Sequence, residues 1–274
     1  MMPGFLIDLD GTMYAGTRQI PHAASFIKAL EERGWPYLYV TNNSSRTPEQ
    51  VAAHIRDIVG INADAKDVLS SAQAAASYIA ERQEGSRVFA IGEAGLRQAL
   101  TEAGLELVER DPDFVVQGID REFTYAKLEA AVRHIAAGAG FIMTNPDHLL
   151  PGAHGLSPGA GSLGAAIRMA TQIEPVVIGK PSPIIMRYAV ERLGLPAADI
   201  WAVGDNLRTD IGGGIAAGCR TALVLTGVAT SANVDAQIAE TGFRPELVCR
   251  DLAELLERLD GWTDAANSPL QHHE

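Results

Sequence analysis

Four short strings in this sequence carry side chains that could do chemistry together. They are Asp8-Leu9-Asp10-Gly11-Thr12, Thr41-Asn42-Asn43-Ser44, Gly179-Lys180-Pro181-Ser182, and Gly204-Asp205-Asn206 with Asp210 shortly after. Asp8 and Asp10 lie two residues apart on an extended segment. Carboxylates crowded in this way repel and need a cation or a shared proton. Asp205 and Asp210 would add more negative charge. A hard divalent cation with oxygen ligands resolves the conflict, and Mg²⁺ suits a few carboxylates plus a substrate phosphate. Lys180 and the Thr41 hydroxyl would then bind the remaining phosphate oxygens. Backbone N–H groups of the Gly11 and Asn42 loops could add donors. A carboxylate can also be a nucleophile that forms an aspartyl-phosphate. The set fits phosphoryl transfer, in which positioning and charge neutralisation do most of the work.

Each string has an ordinary reading when taken alone. An Asp after a strand is often a turn or cap residue, and Asn42-Asn43-Ser44-Ser45 reads as a capped turn. Lys180 reads as a solvated surface lysine. What distinguishes the set is position, because each string follows a short apolar run. The runs are Phe5–Ile7, Tyr37–Val40, Val176–Ile178 and Ile200–Val203, with Ala222–Leu225 as a further one. Nearly continuous apolar runs are expected for strands covered on both faces. In an open parallel sheet, ligands bind beyond the carboxyl ends of the strands.

The elements between the runs read as helices. One spans His22–Arg33 and is closed by Gly34. A second starts at Thr47-Pro48-Glu49-Gln50, with Thr47 as N-cap and Gln50 completing a capping box. Ser182-Pro183 opens a third, over Ile184–Leu193. This rhythm predicts an α/β fold, a doubly wound parallel sheet with helices on both faces. A second rhythm fills the middle. Val88–Ile91, Phe114–Val116 and Phe141–Met143 read as strands, and Gly95–Thr101, Tyr125–Ala137 and Ser162–Met169 as helices. From the residues alone this block is either more of the same sheet or a separate inserted domain. The polar tail Asn267–Glu274 is expected to fray.

Composition narrows the function. At roughly 100–200 residues per domain, 274 residues make one large domain or two smaller ones. With 22 Lys+Arg against 34 Asp+Glu the formal net charge is −12. That disfavours a nucleic-acid partner, whose affinity comes from neutralising phosphates, but leaves room for small anions held by a few local cations. Two distant cysteines, Cys219 and Cys249, make neither a disulfide framework nor a zinc cluster. No apolar run reaches about 18 residues, so no membrane span is expected. The start lacks the basic flank of a secretory signal, and the expected location is the cytoplasm.

At the four strings the chain resembles the haloacid dehalogenase superfamily of phosphatases, and within it the NagD-like subgroup. Supporting strings are Thr41–Pro48, Thr144-Asn145-Pro146-Asp147, Gly155–Ser162 and Gly204–Asp210. The resemblance covers nearly the whole chain, without a departure at a catalytic position. It implies a Rossmannoid core and Mg²⁺-dependent hydrolysis of small phosphomonoesters through an aspartyl-phosphate. By the same resemblance Asp8 is the nucleophile and Asp10 the general acid, then base. Thr41 holds the transferring phosphoryl group, and Lys180 offsets the charge on Asp8 and the phosphate. The metal falls to the Asp8 side chain, the Asp10 backbone carbonyl and Asp205, with Asp210 supporting them from behind or through a water. Thr41 and Lys180 are 139 residues apart, far more than the other motif spacings. The excess resembles the α/β cap inserted between the second and third motifs in this subgroup. The expected core is then residues 1–79 and 176–274, with the cap at residues 80–175. In similar proteins the cap loop matching Thr144–Pro151 faces the active site. Asn145, Asp147 and His148 are therefore expected substrate contacts, beside Thr41, Asn42, Asn43 and Lys180. Caps in similar proteins often dimerise, so a homodimer is left open.

Rival readings weigh less. Gly159-Ala160-Gly161-Ser162-Leu163-Gly164 spells a dinucleotide fingerprint, but it lies far into the chain rather than at a first βαβ unit. A non-catalytic phosphate-binding or regulatory protein would need no nucleophile, which Asp8 and Asp10 argue against. A dehalogenase would need no second Asp, since no leaving oxygen is protonated. A phosphotransferase differs only in its acceptor and stays open. His22, His54 and His134 read as solvated or packed helix residues, Cys219 as a small core residue, and Trp35 and Trp201 as packing groups.

Overall fold

In the computed structural model, which describes residues 2–83, 85–152 and 155–267, short strands and helices alternate along the chain. The first part runs β1 (Gly4–Ile7), a small hairpin β2 (Tyr14–Ala15) and β3 (Arg18–Gln19), α1 (Ala23–Glu32), β4 (Tyr37–Thr41), α2 (Pro48–Val59), β5 (Val68–Ser70) and α3 (Ser71–Ala80). The middle follows with β6 (Arg87–Ile91), α4 (Ala94–Glu102), β7 (Glu106–Leu107), β8 (Phe114–Gln117), α5 (Tyr125–Ala136), β9 (Gly140–Met143), β10 (Leu149–Gly152), β11 (Gly155–Pro158), α6 (Ala160–Thr171) and β12 (Val176–Val177). The last part holds α7 (Pro183–Leu193), β13 (Ile200–Gly204), α8 (Gly212–Ala216), β14 (Arg220–Val224), α9 (Val234–Thr241), β15 (Leu247–Cys249) and α10 (Leu252–Asn267). Of the tail expected to fray, residues 268–274 lie outside the described residues.

Two main sheets carry these elements. The larger has the order β15-β14-β13-β1-β4-β5 and the smaller β12-β9-β8-β6-β7. Pairing from β15 through β4 is parallel, with Ile7 level with Val203 on one side and Tyr39 on the other. The smaller sheet is parallel throughout. The middle block therefore forms a sheet of its own, and the architecture is a Rossmann-like α/β core with an inserted α/β cap. The central strands β1 and β13 are buried along their whole length, which is why they read as unbroken apolar runs.

One expectation is corrected. Val176–Val177, the run before Lys180, is an edge strand of the smaller sheet, where it pairs with Ile142 and Met143 of β9. A two-residue run has too little periodicity to announce which sheet it joins. Lys180 thus follows the end of a cap-sheet strand, not of a strand in the larger sheet.

The helix starts follow local rules. Thr47 and Gln50 form the capping box, with the Thr47 N–H donating to Gln50 Oε1 at 3.0 Å and the Gln50 N–H to Thr47 Oγ1 at 3.3 Å. Ser70 and Gln73 repeat it at α3.

By internal contacts the chain falls into two compact units. One is Met1–Tyr39, Ile55–Asn62 and Val190–Glu274, and the other Val40–His54 and Ala63–Ala189. Leu207, Ile211, Leu223 and Ala229 form one apolar cluster of the first. Phe89, Ile91, Val115, Phe141 and Ile167 form one in the second. Trp201 is buried in β13 with Arg220 over its ring, and Trp35 stacks on Phe5, so both tryptophans pack as expected. His134 is buried against Phe89. Among the described residues no helix is long and apolar enough to cross a membrane.

Candidate active site

In the first unit, three acidic side chains converge. Asp8 leaves β1, Asp205 leaves β13, and Asp210 sits in the wide helical turn that follows. One carboxylate oxygen from each lies within 4.8 Å of the others, and Asp205 and Asp210 are buried. At such spacing each ionised pair repels by about 3 kcal/mol or more at an effective dielectric of about 20. The chain counters this with donors. Asp205 accepts the Val228 N–H on Oδ2 at 2.5 Å and the Thr12 hydroxyl on Oδ1 at 3.4 Å. Asp210 accepts the Asn206 N–H at 3.0 Å. Oxygen-only donors of like charge in one cluster suit a hard cation, so these residues fit Mg²⁺.

Glycine makes the crowding sterically possible. A Cβ on Gly204 would meet Asp210 Oδ2 at 2.2 Å, and one on Gly227 would meet Asp205 Oδ2 at 2.0 Å. Asp10 is not a member of the triad. The chain turns over Asp10–Tyr14, with the Gly11 N–H donating to Tyr14 O at 2.7 Å, and leaves Asp10 exposed. The crowded set is thus Asp8 with Asp205 and Asp210, three residues of the expected metal set, while the Asp10 side chain, crowded with Asp8 by spacing alone, stands outside it.

In the second unit, a polar cluster gathers around the end of β4. Thr41 and Lys180 are both buried, each 4 % exposed. Lys180 Nζ donates to Val40 O at 2.9 Å, which fixes the ammonium beside Thr41 along the chain. The Asn42 side chain donates to Asp147 Oδ2 at 3.2 Å and to Lys180 O at 3.0 Å, while Asn42 O accepts from Asn145 Nδ2 and Ser71 Oγ, both at 2.7 Å. Asn42 therefore ties the loops after β4, β9 and β12 into one network. Asn42 Oδ1 is buried with no hydrogen-bond partner among the described residues.

The other expected contacts differ in character. Asn43 Oδ1 accepts from Ser45 N–H at 2.9 Å, Ser45 Oγ at 3.1 Å and Arg46 N–H at 3.1 Å, so its oxygen is committed to its own loop. This is the capped turn that Asn42-Asn43-Ser44-Ser45 suggested. His148 is exposed, and its backbone O accepts from Gly159 N–H and Ser162 Oγ. The glycines of the dinucleotide-like string serve packing. A Cβ on Gly159 would meet Asp147 O at 2.1 Å and one on Gly161 would meet Pro146 O at 2.2 Å. They let α6 abut the Asn145–His148 loop and hold Asp147 in place. The string follows β11, which pairs antiparallel with β10, not a first βαβ strand.

Two family models match, "Haloacid dehalogenase-like hydrolase" over residues 5–106 and a HAD-hydrolase-like model over residues 177–255. The chain is 48% identical over 225 residues to the 5'-nucleotidase YutF of Bacillus subtilis, covering 82% of this chain and 88% of that protein. It is 44% identical to an acid sugar phosphatase of Staphylococcus aureus, covering 93% and 97%. The chain belongs to the haloacid dehalogenase superfamily, in its NagD-like branch. Solved structures agree with this superfamily placement. A p-nitrophenyl phosphatase from Archaeoglobus fulgidus matches with TM-score 0.90 at 36% identity, covering 94% of this chain and 99% of that one. A glycerol phosphate phosphatase from Mycobacterium tuberculosis, solved with magnesium, matches with TM-score 0.85 at 38% identity, covering 93% and 76%. This haloacid dehalogenase-like hydrolase is a phosphoric monoester hydrolase, and its Asp8, Asp205 and Asp210 carboxylates make a cluster that could hold a metal ion.

Several supporting groups of this hydrolase carry little signal in the sequence. Thr12 stands inside the first string without an expected role, yet it donates to Asp205. Thr226-Gly227-Val228 follows the apolar run Ala222–Leu225 and carries no charge, so nothing in its residue types marks it. It wraps Asp205 through the Val228 N–H and holds the Gly11 carbonyl through Thr226 Oγ1 at 2.7 Å. The available signal is position, a loop at the carboxyl end of a neighbouring strand.

Proposed function

We propose that the enzyme hydrolyses small phosphomonoesters with Asp8 as nucleophile. The observation that carries this reading is the convergence of the Asp8, Asp205 and Asp210 carboxylates within 4.8 Å. An Asp8 oxygen attacks phosphorus, the bond to the ester oxygen breaks, and Asp10 gives that oxygen its proton. Asp10 then takes a proton from water as the water attacks the aspartyl-phosphate, freeing inorganic phosphate and restoring Asp8. The exposure of Asp10 suits a group that must exchange protons in every cycle. Thr41 and Lys180 hold the phosphoryl oxygens, and the Asn42 network keeps the loops that bear them in register. Asp8, the Asp10 carbonyl and Asp205 would hold Mg²⁺, with Asp210 supporting them. Bound there, Mg²⁺ offsets the repulsion between carboxylate and phosphate dianion.

The substrates in this reading are small phosphorylated metabolites such as nucleoside monophosphates and sugar phosphates, in keeping with the names of the relatives. The cap is the block near residues 80–175, continued to the end of β12 by its sheet membership, with Asn145, Asp147 and His148 on its substrate side. A homodimer in the cytoplasm completes the reading, and light scattering on the purified protein checks it against the monomer mass of 29.1 kDa. The deciding experiment is phosphate release from p-nitrophenyl phosphate with Mg²⁺ and with chelator, for wild type and Asp8→Asn. Mg²⁺-dependent release that Asp8→Asn abolishes is expected. Release that survives Asp8→Asn would mean a different nucleophile.

A further inference from the structure

The second unit contains an open cavity of about 470 Å³ that the proposed reaction does not use. It is lined by Asn43, Ser45, Arg46 and Gln50 from the segment after β4, and by Glu93, Ala94 and Arg121 from segments that follow strands of the smaller sheet. Its place is not arbitrary. In the order β12-β9-β8-β6-β7, the chain leaves β6 toward β7 on one side and reaches β8 on the other. The carboxyl ends of β6 and β8 thus flank the topological switch point, where open parallel sheets bind ligands. Glu93 follows β6 and Arg121 follows β8. The two lining segments are joined by the Gly95 N–H, which donates to Ser45 O at 3.0 Å.

The chemistry of the lining is one-sided. The Arg121 guanidinium grips Glu93 through Nη1 alone, at 2.8 Å to each carboxylate oxygen, beside the Arg121 backbone N–H at 3.2 Å to Oε1, so Nε and Nη2 make no hydrogen bond among the described residues. The Arg46 guanidinium makes none either among the described residues, whereas its backbone N–H donates to Asn43 Oδ1. Asn43 and Gln50 spend their side-chain oxygens on local turns, which leaves their NH₂ groups as open donors. One carboxylate, already engaged, faces two guanidiniums and two amides with donors to spare. In a chain of net charge −12 such a local excess of donors and positive charge selects an anion. The cavity also reaches the phosphate-binding loop, because the Asn43 N–H donates to Thr41 Oγ1 at 3.1 Å.

We propose that this cavity is a second anion subsite, in which Arg46 and Arg121 hold a carboxylate or phosphate on the leaving group of the substrate. The enzyme then prefers phosphomonoesters that carry a second negative charge. The inference rests on the reading of Thr41 as a phosphoryl contact. Glu93 holds Arg121 in place between turnovers, and the incoming anion takes the unused nitrogens. Gln50 and Asn43 donate to neutral oxygens of the same ligand.

The test compares carboxyalkyl, hydroxyalkyl and aminoalkyl phosphates of equal chain length as substrates of wild type, Arg46→Gln, Arg121→Gln and Arg121→Glu. The readout is the ratio of kcat/KM between charged and neutral probes within one preparation, which cancels any unfolded fraction. Wild type is expected to favour the carboxyalkyl over the hydroxyalkyl phosphate about tenfold or more, the size of one charge-assisted hydrogen bond. Each Arg→Gln change is expected to cut that ratio about tenfold, and Arg121→Glu to turn the preference toward the aminoalkyl phosphate. A wild-type ratio near one, or a ratio that neither Arg→Gln change moves, overturns the subsite. If wild type releases phosphate from none of these probes or from p-nitrophenyl phosphate, the phosphatase reading has failed instead. Calorimetric binding of a carboxyalkyl phosphonate then reads the cavity directly. Binding weakened about tenfold by Arg46→Gln supports the subsite, and absent or unchanged binding overturns it.

Discussion

Replacing Gly227 by Ala isolates the positioning of Asp205 from its charge. Gly227 has an ordinary backbone φ, so Ala meets no conformational penalty there. The added Cβ would instead stand 2.0 Å from Asp205 Oδ2 and 2.6 Å from its Cγ, where ordinary contact begins at 3.4 Å. The same Cβ would also stand 2.8 Å from Gly11 Cα, a backbone atom that cannot swing away as a side chain can. The carboxylate must therefore move by about 1.4 Å. Mg²⁺ demands ligand distances near 2.0–2.1 Å in close to octahedral order. A displacement of that size should cost on the order of 100-fold in kcat/KM and raise the Mg²⁺ concentration needed for half activity. The assay is p-nitrophenyl phosphate hydrolysis across a Mg²⁺ titration, with thermal unfolding in chelator as the check on folding. Near-normal activity at normal Mg²⁺ in a folded Gly227→Ala protein would refute the placement of Asp205 as a ligand. Gly11→Ala is a poorer probe, because Gly11 has φ +93° and the substitution would strain the backbone as well.

Three other outcomes are expected. Asn42→Ala removes the bonds to Asp147 and Lys180 O and should raise KM for p-nitrophenyl phosphate several-fold or more while leaving the far-ultraviolet circular dichroism unchanged. Gly161→Ala drives a Cβ to 2.2 Å from Pro146 O and should destabilise by about 1–3 kcal/mol, the usual cost of overpacking, read as a lower midpoint in thermal unfolding. Cys219 and Cys249 are buried, and burial pushes each thiol up to about 11. Since a thiol reacts as its thiolate, both should resist iodoacetamide at pH 8 in the folded protein and react once it is unfolded, counted by mass spectrometry.

Much of the site is legible in the order of the residues because its chemistry is written in local strings at strand ends. An apolar run buried on both faces followed by an acidic residue is a local pattern, and β1 with Asp8 and β13 with Asp205 both show it. Thr47 with Gln50 is equally local, since a capping box is a matter of residue types three apart. Sheet membership is not local. Val176–Val177 reads the same whether it joins the larger sheet or the edge of the smaller one, and only its pairing with β9 assigns it. The carboxylate triad likewise depends on how strands stack. The family motifs name Asp8, Asp205 and Asp210 together, but it is the parallel neighbour β13 that brings their carboxylates to one place, while the turn at Gly11 leaves the Asp10 side chain outside. The supports of Asp205 are a backbone N–H and a space left by Gly227. Backbone donors and empty volume carry no signature in residue type. Composition and strand-end motifs determined the family and its chemistry. Which carboxylates meet, and which arginines keep unused donors beside Thr41's loop, was decided by long-range packing, because those contacts join residues that the chain keeps far apart.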